Sequence, residues 1–149
     1  MAALEYTIDK NALEASIELE VSKVAARTTD KNGQSAYDLY KIYKSDKTLV
    51  ENAISDAVKN ILAAFPDIAT YQSGSAQAND KVLFDIPDFN SSNEDQANET
   101  IGRFIVAHST AAWFESRLPE VAKSYAEQSI ADMKIFSNLV RQRKPITRT

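Results

Sequence analysis

The sequence predicts a mainly α protein: a bundle of about four helices with an inserted β-hairpin or extended loop and a C-terminal arm. Three observations lead there. Glycine is scarce, with three in 149 residues, and the four prolines fall at Pro66, Pro87, Pro119 and Pro145, leaving long stretches without helix breakers. Apolar residues recur at spacings of three and four through most of those stretches, the period of a helix with one face in a core. One stretch, KVLFDIPDF, instead puts Val82, Phe84 and Ile86 on alternate positions, as a half-buried strand does.

The first helix is read from DKNALEASIELEVSKVAART, where Leu13, Ile17, Val21 and Val24 form one stripe and Asp9 stands at the N-cap position. The alternation of Ile17, Leu19 and Val21 leaves a short strand as the competing reading. TTDKNGQS, with Asn32 and Gly33 able to take positive φ, predicts a turn. SAYDLYKIY follows as a short helix with Tyr37, Tyr40 and Tyr43 along one edge. KTLVENAISDAVKNILAAF then predicts a long helix with a broad apolar face, comprising Leu49, Ala53, Ala57 and Ile61 and the adjacent row Val50, Ile54, Val58, Leu62 and Phe65. Asp46 is its N-cap, with Thr48 and Glu51 as an alternative capping box, and Pro66 ends it.

IATYQ is the hairpin partner of KVLFDIPDF across a polar loop, and residues 66–90 form the insertion. A lone hairpin is marginal in water, so this one must pack on the helices or on another chain. Tyr71, Val82, Phe84 and Ile86 are therefore candidate subunit-interface residues. Ser92 is the expected N-cap of the next helix, with Glu94, Asp95 and Glu99 near its positive end. Ile101, Phe104, Ile105, His108, Ala112 and Trp113 follow helical spacing. Gly102 in this interior costs about 1 kcal/mol against alanine, which predicts a closely approaching backbone. Pro119 opens the last helix, whose apolar positions are Val121, Tyr125, Ile130, Met133, Phe136, Leu139 and Val140, and Pro145 stops it. The two strongest apolar faces should meet, Ile54, Val58, Ile61 and Leu62 against Ile101, Phe104, Ile105 and Trp113.

Composition supports one helical domain over residues 1–149, since 44% hydrophobic and 26% charged residues are ordinary for a globular chain. Cysteine is absent, which excludes disulfides, thiolate catalysis and sulfur-ligated zinc. The opening MAALEYTIDKNALE reads as neither a secretory signal nor a membrane anchor, so a protein made in a cytoplasm, with no membrane partner, is expected.

Charge is segregated. The net charge is -4, but the terminal VRQRKPITRT carries Arg141, Arg143, Lys144 and Arg148 with no acid; without them, 13 basic residues face 21 acidic ones, about -8. Basic residues in a last helical turn complement the helix dipole, at about 0.3 to 1 kcal/mol each. That role accounts for Arg141, Arg143 and Lys144 but not for Arg148 beyond the helix. Phosphate contact is the other reading, though four charges make a weak footprint and the arm has no aromatic residue for stacking on bases.

Catalytic chemistry is not indicated. His108 is the only histidine, and with only Ser109 and Thr110 beside it, it reads as packed or at an interface. Asp85 and Asp88, or Glu94 and Asp95, lack the alternation and glycine of a calcium loop and read as solvated surface. No phosphate-binding glycine loop, nucleophile elbow or histidine zinc pair is present. No cofactor or metal is expected, and the chain reads as a non-enzyme.

Four segments carry a resemblance: VSKVAARTTDKNGQSAYDLYKIYKSDKTLVENAISDAV, the short FDIPDF, FIVAHSTAAWF before a corner, and Tyr125-Ala126 followed by LVRQRKPITR. Through them the chain resembles small virion proteins encoded near the head-completion and tail genes of phages and prophages of Bacteroidetes-type bacteria. More distantly it is similar to the helical head-tail adaptor, or connector, proteins of tailed phages. In those, a helix bundle with an inserted hairpin or loop assembles as a ring below the portal. The resemblance implies a homo-oligomeric ring in the virion neck, with the portal and other neck or tail proteins as partners and transient non-specific contact with genomic DNA. By the same implication Arg141, Arg143, Lys144 and Arg148 form an arm that docks on the portal or a neighbouring ring, or faces the DNA. A tail-completion protein, and a soluble helical module that binds nucleic acid or regulates, remain the alternatives.

Overall fold

A computed structural model describes residues 3–75 and 78–142. Among the described residues are four long helices, one single-turn helix, two 3-10 turns and a three-stranded antiparallel sheet. Strand β1 (Leu4–Thr7) leads into helix α1 (Lys10–Arg27). The Asp9 carboxylate accepts the Ala12 N–H at 3.2 Å, so the expected N-cap is in place, and Leu13, Ile17, Val21 and Val24 are all buried. The strand reading of Ile17 to Val21 fails because only the helical stripe turns every one of these side chains inward.

The turn after α1 is closed by Asp30, whose carboxylate accepts the N–H groups of Asn32 and Gln34 at 2.8 and 2.9 Å; Gly33 supplies the positive φ, at 77°. Helix α2 is a single turn (Tyr37–Tyr40), and helix α3 (Lys47–Ala64) follows a 3-10 turn. Asp46 occupies the N-cap position of α3 without capping it. Its carboxylate turns back to accept the Tyr43 N–H at 2.9 Å. Leu49, expected on the apolar face, is 54% exposed, while Val50 beside it is buried.

Strands β2 (Ala69–Gln72) and β3 (Lys81–Phe84) form the expected hairpin, with Ala69 opposite Phe84 and Gln72 opposite Lys81. β1 pairs with the other side of β3, so the sheet order is β1-β3-β2. This third strand is what makes the hairpin viable within one chain. It also corrects the reading of Val82, Phe84 and Ile86 as interface residues. All three are buried in the chain's own core, leaving only Tyr71 of that set exposed.

Helix α4 (Glu94–Phe114) starts one residue later than an N-cap at Ser92 predicts, with Asn93 in the cap position, because the Asn90 side chain accepts the Ser92 N–H and Oγ–H and holds Ser91–Asn93 in a 3-10 turn first. Helix α5 (Pro119–Arg141) opens on its proline as expected and runs back along α4. Ile130 is 58% exposed rather than packed, and its place on the buried side is taken by Ser129 and Asp132.

One apolar cluster holds the chain together. Ile54, Val58 and Ile61 join Ile101, Phe104, Ile105 and Trp113 in it, with Leu62 partly buried at its margin, so the two faces meet as expected. The sheet is tied in by aromatic contacts. The Phe136 ring of α5 lies 5.1 Å from that of Phe84 and 5.4 Å from that of Phe65. Gly102 has no backbone against it; a Cβ there would find only the Tyr6 hydroxyl, at 3.6 Å.

Candidate functional site

The clearest candidate is a surface rather than a cleft. Four of the eight large exposed apolar side chains among the described residues lie between positions 37 and 49: Tyr37, Leu39, Tyr43 and Leu49. The segment can present them because its other apolar residues, Tyr40 and Ile42, turn inward onto the core. It is held firmly. The Trp113 indole N–H donates to the Tyr40 carbonyl at 2.8 Å, and the Tyr43 hydroxyl donates to the Asp38 carbonyl at 2.7 Å. The Lys41 ammonium sits 4.7 Å from the centre of the Tyr43 ring and 5.4 Å from that of Tyr37, joining the two rings by cation–π attraction. Below, the Arg117 guanidinium lies 3.7 Å from the Trp113 ring and donates to the Trp113 carbonyl at 2.6 Å.

The expected single edge of Tyr37, Tyr40 and Tyr43 is split, because Tyr40 packs on the core while Tyr37 and Tyr43 stay exposed, and the periodicity does not mark Leu39 and Leu49 as exposed. Leu39 lies in the one turn of α2, which has no buried residue. Leu49 and Val50 are adjacent near the start of α3, and the helix is rotated so that only Val50 of the two turns onto the core.

The predicted basic arm is only partly described. Arg141 is exposed in the last turn of α5 and makes no ion pair among the described residues. Arg143, Lys144 and Arg148 lie outside the described residues. The chain leaves α5 next to the start of α4, where the Asn93 side-chain amide donates to Gln142 Oε1 at 2.9 Å. The negative end of α5 therefore lies beside the positive end of α4, so two dipoles already complement one another before any basic side chain contributes.

His108 is half-buried on α4, stacked on Phe104 at 5.6 Å. The Asn60 amide approaches its Nε2 at 3.2 Å, and since an amide N–H can only donate, Nε2 is the acceptor of a neutral ring. Burial lowers the imidazole's pKa, with the Asp56 carboxylate opposing. This is the packed histidine that the sequence suggested. Asp132, which the sequence did not single out, is buried on α5. Arg103 Nε lies 3.9 Å from its Oδ1, and its Oδ2 has no hydrogen-bond partner among the described residues; burial raises its pKa, with Arg103 opposing. No group of three or more histidine, aspartate or glutamate side chains among the described residues could hold a metal ion, and no described helix is long and apolar enough to cross a membrane.

No protein-family model, curated protein or solved structure matches the chain.

Proposed function

We propose that the chain is a structural subunit of a phage head-tail connector ring, joining portal to tail and lining the DNA passage in the virion neck. The observation that carries this reading is the group of exposed apolar side chains Tyr37, Leu39, Tyr43 and Leu49 within one segment, which is anchored to the core through the Tyr40 carbonyl and Trp113. A ring requires each subunit to offer its neighbour a surface that it does not use itself. Several exposed apolar side chains brought together by one segment are a common mark of such a contact. The resemblance supplies the kind of assembly, and this surface supplies a physical means of assembling. The acidic body suits a passage through which DNA slides, because it avoids strong phosphate attraction, and the basic residues from Arg141 onward are left to reach the portal or an adjoining ring.

Sedimentation velocity and negative-stain electron microscopy of the full chain, alone and with its cognate portal, test the proposal. Ring-sized particles are expected in at least the second mixture. Leu39→Asp combined with Leu49→Asp should abolish them while leaving helix content unchanged. A chain that stays monomeric in both mixtures overturns the reading, and a ring that joins only finished tails identifies a tail-completion protein instead.

A further inference from the structure

Between the hairpin and α3 lies a slot of about 330 Å³, floored by Ile8, Ile54 and Val58 with Leu62 at its side. Its rim carries Lys10, from the first turn of α1, and Lys59, from α3, together with Tyr71 and Asp80.

Neither lysine makes an ion pair among the described residues, on a chain whose acids outnumber its bases. Asp80, the one carboxylate on the rim, is already engaged: it accepts the Tyr71 hydroxyl and the Gly74 N–H. Lys10 contributes to holding Asp80 ionised, which leaves Lys59 the less opposed of the two cations. An apolar floor beneath converging polar groups is the usual form of a small-molecule site.

We propose that this slot binds a small amphiphilic carboxylate, its apolar body on Ile8, Ile54, Val58 and Leu62 and its carboxylate between the Lys10 and Lys59 ammonium groups. The lysines disfavour an amine, a bare inorganic anion would leave the floor uncovered, and a neutral apolar molecule would leave Lys59 without a counter-charge. The site is independent of the assembly surface at Tyr37 to Leu49.

The test is calorimetric titration of the full chain with decanoate, kept below its aggregation threshold. Saturable one-to-one binding is expected. Affinity should fall at least about tenfold in the Lys10→Gln, Lys59→Gln double variant, and decanol should bind the native chain more weakly by a similar factor. Butyrate, with a carboxylate but little body, should show no saturation. Both lysines are exposed, so the variant's melting curve should match the native one. Absence of saturable decanoate binding overturns the proposal, as does undiminished affinity in the double variant or equal affinity for decanol.

Discussion

Replacing Trp113 examines the core and the candidate surface together. The ring is 7% exposed, its N–H holds the Tyr40 carbonyl at 2.8 Å, and Arg117 stacks on it at 3.7 Å. Truncating a buried aromatic ring to alanine costs about 3 to 5 kcal/mol. Here the loss should sit near the middle of that range, because the Tyr40 carbonyl also loses its donor, though Tyr40 is only partly buried and water can replace the N–H. For a chain of this size, about 4 kcal/mol corresponds to a fall in Tm of about 8 to 16 °C. Trp113→Phe keeps most of the ring but not the N–H, and should cost only about 1 to 2 kcal/mol. Because Trp113 is the single tryptophan, urea unfolding is best followed by far-ultraviolet circular dichroism. Amide exchange supplies a second readout: in both variants, protection should drop in the segment from Tyr37 to Asp46 before it drops in α3 or α5. A cost below about 1 kcal/mol for Trp113→Ala, or unaltered exchange in that segment, would refute the reasoning.

Three further outcomes follow from particular contacts. Gly102→Ala should stabilise the protein by up to about 1 kcal/mol, since helix propensity favours alanine and the new methyl meets the Tyr6 hydroxyl at an ordinary 3.6 Å; chemical denaturation would show a loss instead if that contact were tight. His108 should titrate below 6.5 by NMR. With its folded pKa depressed, the unfolded chain binds the extra proton first, so this contribution to stability is present at neutral pH and declines as pH falls below about 6.5. Asp132 has the opposite sign. Its raised pKa means that the folded chain keeps a proton which the unfolded chain has released, so stability falls as pH climbs from 3.8 through the folded value. Asp132→Asn should remove that slope and add about 1 kcal/mol at neutral pH, and a destabilised variant at that pH would show the Arg103 pair to outweigh the burial of charge.

The sequence alone determined those features that depend on a few neighbouring residues. Asp9 caps α1 because its carboxylate needs only the amide three residues on, Pro119 opens α5 because its ring presets φ, and Pro66 stops α3 because it restricts the residue before it. The facing of Ile54, Val58 and Ile61 toward Ile101, Phe104 and Ile105 was also legible, since a long amphipathic helix has one apolar side and must cover it. Only the tertiary structure decided the rest. β1 is four residues long and carries little pattern of its own; it is a strand because β3, distant along the chain, offers it an edge. The alternation in β3 marked one apolar face but not what covers it, and so Val82, Phe84 and Ile86 were assigned to a neighbour when their own helices bury them. Leu49 and Ile130 lie on apolar arcs wider than the contact each helix makes, and the rotation that leaves them outside is set by packing on partners remote in the chain. Periodicity is a property of one helix, whereas burial depends on two surfaces.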